Sequence, residues 1–129
     1  MPNPTYKTYQ FDIATRGQRV PVDFELDKNV KAVTGLSLDA TRRGSLFTYG
    51  TQRLEIGGVA VFAEGHRSNM LMFGISAANK LHKFPEAIPA GNGKLRIDFL
   101  DTAQVTGNPS FDQWEPYTVF VTVEQTVNA

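Results

Sequence analysis

The sequence predicts an all-β domain, a two-sheet antiparallel sandwich of about eight short strands. Three observations predict it. Apolar residues recur at every second position through much of the chain, the period of a pleated strand with one buried face. Gly, Pro, Asn and Asp break these runs at short intervals. No stretch carries the 3.6-residue apolar repeat over a helical length. The clearest unit is TQRLEIGGVAVFA, residues 51–63, where two alternating arms flank Gly57-Gly58. A two-residue connection of this kind needs positive φ, which glycine adopts without steric cost, so the pair predicts a tight hairpin. Folding about it sets Ile56 opposite Val59 and Leu54 opposite Val61 on one face. Arg53, Glu55, Ala60 and Phe62 take the other.

The remaining elements follow in order. Pro2 and Pro4 have fixed φ and no N–H, so residues 1–5 read as an extended arm before a single domain over 6–129. Over 6–13, Tyr9, Phe11 and Ile13 share one face, and Thr8, Gln10 and Asp12 the other. Over 18–26, Val20, Val22, Phe24 and Leu26 alternate with Arg19, Asp23 and Glu25. Pro21 falls on the outward set and donates no hydrogen bond, which predicts a sheet edge or a bulge there. After a turn at Asp27-Lys28-Asn29, a strand over 30–40 has Leu36 and Leu38 in phase, with Gly35 as a kink or bulge. Residues 41–44 read as a loop and 45–49 as a short strand leading into the hairpin. Residues 63–69 are polar and turn-like.

The run MLMFGI at 70–75 is apolar on both faces. It fits a doubly covered central strand or a strand with one face in a contact between chains, which makes Met70 and Met72 candidate interface residues. Residues 77–84 have room for one helical turn, and 85–93 reads as loop ending in Gly91-Asn92-Gly93. Over 94–99, Leu95, Ile97 and Phe99 alternate with Lys94, Arg96 and Asp98. Residues 101–116 form the longest irregular segment, of a kind that in compact domains is functional or ordered by a partner. Over 117–124, Val119, Val121 and Val123 alternate with Thr118, Phe120 and Thr122. Eight strands with unequal loops suit a jelly roll, and an immunoglobulin-like sandwich is the nearest rival.

Composition narrows the chemistry. The 129 residues suit one domain with a full hydrophobic core. The absence of cysteine removes disulfides, thiolate catalysis and sulfur-based zinc sites. Thirteen basic residues balance thirteen acidic ones, so no basic surplus points to nucleic acid or to an anionic membrane. At 20% charged residues, the surface is sparsely charged, which suits packing against other subunits. MPNPTYKTYQ lacks the cationic lead and apolar run of a signal peptide, and no apolar stretch has the length of a membrane span.

Catalytic parts are few. His66 and His82 are the only imidazoles, and neither sits in a two-histidine ligand spacing. Glu64, His66, His82 and Glu86 converge on a metal only if two loops meet; otherwise both histidines are exposed loop residues. No serine lies in G-x-S-x-G. Asp98 and Asp101 read either as paired carboxylates for glycoside cleavage or, given the outward phase of Asp98, as surface acids. Gly91-Asn92-Gly93-Lys94 lacks the following Ser/Thr and the helix of a phosphate cradle, and reads as a hairpin turn. Arg42-Arg43 reads as a solvated loop pair. Asn108-Pro109-Ser110 fails as a glycosylation site because of its proline. The expectation is no catalytic residue, no metal and no cofactor.

Phe111, Trp114 and Tyr117 have three readings. Trp114 plugs one end of the sandwich, or the three anchor a protein interface, or they stack on a sugar whose hydroxyls Asp112 would take.

With TQRLEIGGVAVFAEG and PAGNGKLRIDF in view, the chain resembles the small single-jelly-roll structural proteins of bacterial viruses, penton-type and accessory capsid subunits. The resemblance is architectural and transfers no residue. It implies a non-enzymatic virion component that forms a symmetric homo-oligomer, contacts other structural subunits and reaches neighbours through loops or a terminal arm. The alternative expectation is a carbohydrate-binding module that uses Phe111, Asp112, Trp114 and Tyr117.

Overall fold

Period-two segments pair into two facing sheets. The structure is a computed structural model, and the residues it describes are 5–15, 17–42, 46, 49–68, 71–72, 82–102 and 115–127. They contain β1 (Thr5–Ile13), β2 (Arg19–Glu25), β3 (Val30–Ala40), β4 (Gly50–Ile56), β5 (Val59–Arg67), β6 (His82–Pro89), β7 (Lys94–Asp101) and β8 (Tyr117–Val127). One sheet has the order β1-β8-β3-β6 and the other β2-β7-β4-β5, with every neighbouring pair antiparallel. The chain crosses between the sheets at every connection except the β4–β5 hairpin, which is the jelly-roll order. Among the described residues no helix is long and apolar enough to cross a membrane.

The inward phases meet between the sheets as their alternation predicts. Ile13, Leu36, Leu38, Leu54, Ile56, Leu95, Ile97, Phe99, Val119, Val121 and Val123 are each at most 2% exposed. Burying a side chain of this size contributes roughly 1.5–3 kcal/mol. Phe11 meets Phe99 edge to face at 5.4 Å, and Tyr9 stacks on Phe24 at 4.8 Å, joining the edges β1 and β2 across the sandwich. Pro21 sits on the edge strand β2, where its missing N–H breaks no ladder. Gly35 borders a register shift in β3, at the predicted bulge.

Several expectations are corrected. Leu46 and Tyr49 are in helical conformation rather than strand, with Leu46 N donating to Arg42 O at 3.3 Å, and the other residues of the strand expected over 45–49 are outside the described ones. Leu46 instead drops fully into the core. Residues 63–67 continue β5 beside β4; they look turn-like in sequence because an edge strand facing water needs no apolar alternation. Residues 85–89 belong to β6, where Pro85 and Pro89 are tolerated because the strand is an edge.

The hairpin turns at Gly57-Gly58 as predicted, but Leu54 faces Phe62 rather than Val61 because β5 bulges at that point. Val59, expected on the buried face, is 54% exposed at the turn. Leu71 and Met72 lie outside any strand, contrary to the strand predicted over 70–75, whose other residues are outside the described ones. Residues 82–84 are strand rather than helical turn. Thr5 already belongs to β1, and the rest of the predicted arm is outside the described residues.

Candidate functional site

The described side chains between the sheets are almost all apolar, so most of the described polar chemistry lies at the ends, edges and outer faces. Met70, Phe111, Asp112 and Trp114 are outside the described residues. Met72 is partly buried against the core. Tyr117 is corrected from a surface aromatic to a core residue. It is 3% exposed, and its hydroxyl donates to Asp101 Oδ2 at 2.6 Å. Burial, then the bond to Asp101 and its charge, push the phenol far above its ordinary range. The signal was present in the sequence, since Tyr117 shares the parity of Val119, Val121 and Val123.

Asp98 and Asp101 do not form a carboxylate pair. Three residues apart on one strand, they point to opposite faces. Asp98 accepts from Arg19 at 3.0 Å on the outside, whereas Asp101 is buried against Tyr117. Gly91-Asn92-Gly93 is a turn, but not the hairpin expected, because it carries the chain from β6 in one sheet to β7 in the other; Asn92 Oδ1 accepts from Lys94 N at 3.1 Å. A cleft of about 300 Å³ beside it is lined by Asp27, Lys28 and Lys94 among others, charges of both signs.

His66 and His82 come together, around an aromatic ring. His66 lies flat on Phe62 at 3.9 Å, and His82 meets the same ring edge-on at 6.0 Å. Phe84 stands 5.8 Å from His82. Ser68 Oγ donates to Gln52 Oε1, which turns the Gln52 amide N–H toward His66 Nδ1 at 2.7 Å. Nδ1 therefore accepts, and the ring proton resides on Nε2. Burial, then the neighbouring His82, hold the His66 pKa below its ordinary value, which favours the neutral ring. Among the described residues no three His, Cys, Asp or Glu side chains are grouped to hold a metal ion. Glu86 is exposed on β6.

A second cluster has no counterpart in the sequence reading. Glu124 has the outward phase of β8, yet is only 4% exposed. Its carboxylate accepts from Lys83 Nζ at 2.5 and 2.6 Å, from Thr34 Oγ1 at 2.8 Å and from Tyr6 OH at 3.1 Å. Its partners thus come from β1, β3 and β6, which no sequence spacing connects. Burial pushes this carboxyl up, but the three hydrogen bonds prevail and hold it below the usual range.

With its folded pKa depressed, Glu124 stabilises the fold fully above the unfolded value near 4.5 and loses that contribution as pH falls through the lower folded value. Lys83→Met leaves the carboxylate buried with two neutral donors, so burial then raises its pKa. The half-exposed lysine limits the expected cost to about 1 kcal/mol at pH 7. Thermal denaturation at pH 7 and at pH 4.5 should show the deficit of the variant shrinking at the lower pH. A deficit that widens there contradicts this balance.

Compared with models of protein families, with curated proteins and with solved structures, the chain matches none.

Proposed function

We propose that this chain is a non-enzymatic structural subunit that assembles with copies of itself and with other structural subunits, as a single-jelly-roll component of a virion. The observation that carries the reading is the order of the described strands, β1-β8-β3-β6 over β2-β7-β4-β5, around a core of buried apolar side chains. That architecture recurs in capsid subunits, lectins and cupins, of which cupins place their chemistry inside the barrel. Here the described residues of the interior are aliphatic and aromatic, which favours a role for the outer surface. His66 is committed to Phe62 and Gln52, consistent with a packing role. A zero net charge and sparse surface charge let copies approach without repulsion.

Light scattering across a concentration series is the test. The expected result is a defined multiple of the 14.3 kDa chain. A strict monomer at every concentration, with no partner retained from a lysate of its source, overturns the reading.

A further inference from the structure

We propose that β1 is where two copies of this chain meet, the β1 of one adding antiparallel to the β1 of the other. The sheet that holds β1 then runs on from one copy into the other. This inference rests on the assembly reading and names its surface.

Among the described residues the sandwich has four edge strands, β1 and β6 in one sheet and β2 and β5 in the other. An edge presents backbone N–H and C=O groups that invite another strand, and proteins usually obstruct them. Three of the four are obstructed. On β2, Pro21 removes a donor and the Tyr9 hydroxyl donates to the Glu25 carbonyl at 3.2 Å. On β5, the ladder slips twice, with residues 63–65 standing against Arg53 alone. On β6, Pro85 and Pro89 interrupt the donors, and residues 84–87 stand against Thr34 alone.

β1 has none of these features. Its nine residues, TYKTYQFDI, pair without a break from Thr5↔Gln125 to Ile13↔Tyr117. The strand holds no proline or glycine and is rich in Thr, Tyr, Phe and Ile, which favour strands. Among the described residues β8 is its one ladder partner. A lysine often guards such an edge. Lys7 does not, because its ammonium is drawn to Asp27 at 2.7 Å and lies over the Tyr9 ring at 5.3 Å.

Charge and shape select a second copy as the occupant. Antiparallel addition about a two-fold axis is self-complementary. Centred on Tyr9, it sets Thr8 against Gln10, Tyr6 against Asp12 and Lys7 against Phe11, with no like charges opposed. Parallel pairing in register would oppose Lys7 to Lys7 and Asp12 to Asp12, which is destabilising. Tyr6 is 58% exposed, one of two large hydrophobic residues so exposed among those described, and it gains a neighbour across the new ladder.

The chain has no cysteine, so introduced thiols report alone. Opposed positions on antiparallel strands are within disulfide reach. Under mild oxidation, Thr8→Cys/Gln10→Cys should give a reductant-sensitive covalent dimer, and Glu86→Cys on β6 should not. Thr8→Lys/Gln10→Lys gathers four ammonium groups at the axis and should weaken self-association at least ~10-fold by light scattering, with the circular dichroism spectrum unchanged. If the lysine variant does not fold, the cross-linking comparison decides. Wild-type assembly with no cross-link at 8 and 10, or with cross-linking through 86 instead, overturns the β1 interface and leaves the assembly reading standing. A monomeric wild type overturns both.

Discussion

Replacing Gly91 by alanine is expected to cost roughly 3 kcal/mol of folding stability, against about 1 kcal/mol for the same change at Gly93. Both residues have positive φ, 52° and 77°, so both substitutions carry the strain of an L-residue in that region. Only one meets an obstacle. A Cβ on Gly93 has no heavy atom within 4 Å, whereas a Cβ on Gly91 falls onto the Gly57 carbonyl, with the Gly57 Cα 3.0 Å away.

The approach is reciprocal, since a Cβ on Gly57 would lie 2.5 Å from the Pro89 carbonyl oxygen and 2.7 Å from that of Ala90. These obstacles are backbone, and backbone here is tethered. Gly57 N donates to Lys94 O at 2.9 Å, Leu26 N to Gly93 O at 2.8 Å and Ala90 N to Lys31 O at 2.9 Å. The turns β2–β3, β4–β5 and β6–β7 thus gather at one end of the sandwich, where two of them carry the chain from one sheet to the other. Urea denaturation of the two variants separates the strain they share from the clash that only Gly91 suffers. Equal losses would mean that the turns part without cost.

Features with a local cause were legible in the sequence. The alternation of Leu95, Ile97 and Phe99 names the buried face of β7, and that of Val119, Val121 and Val123 the buried face of β8. Pro21 announces an edge and Gly35 a bulge, because each residue changes what its own backbone can do. Two of the edge strands are different. The outer half of β5 and all of β6 bury too little to impose a period of two, so their sequences read as turn over 63–67, as part of a helical turn over 82–84 and as loop over 85–89. Leu46 shows the converse, an apolar residue in a short run that reaches the core from a helical turn.

The clusters on the surface were not legible for a further reason. Glu124 owes its burial to Tyr6, Thr34 and Lys83, and His66 meets His82 only through Phe62. Those meetings follow from strand order, which is a property of the whole topology. The uninterrupted register of β1 is likewise visible only beside the other three edges.

Tyr117→Phe should cost about 2 kcal/mol at neutral pH, as expected for a buried hydrogen bond to a carboxylate. Asp101 is 1% exposed, so water cannot readily replace the lost phenol. The bond ties β8 of one sheet to β7 of the other, at the end opposite the glycine turns. Gly17 N adds a longer contact to the same carboxylate at 3.4 Å, which brings in the β1–β2 connection.

The pH dependence carries its own sign. The Tyr117 pKa is raised on folding, so its stabilisation is complete below the unfolded value near 10 and is lost as pH climbs beyond it. Wild type should therefore lose stability more steeply than Tyr117→Phe above pH 10, and the two should converge. Urea midpoints measured at pH 7 and at successive steps above pH 10 test both parts. A neutral-pH loss below about 0.5 kcal/mol would show the hydroxyl to be dispensable.

Asp101 and Tyr117 also stand at the two feet of the segment that carries Phe111, Asp112 and Trp114. Their bond fixes where that segment leaves and rejoins the sandwich. If assembly runs along β1, the variant should still associate with wild-type affinity despite its lower stability. A coupled loss of association would move the interface toward the end that holds Asp101 and Tyr117.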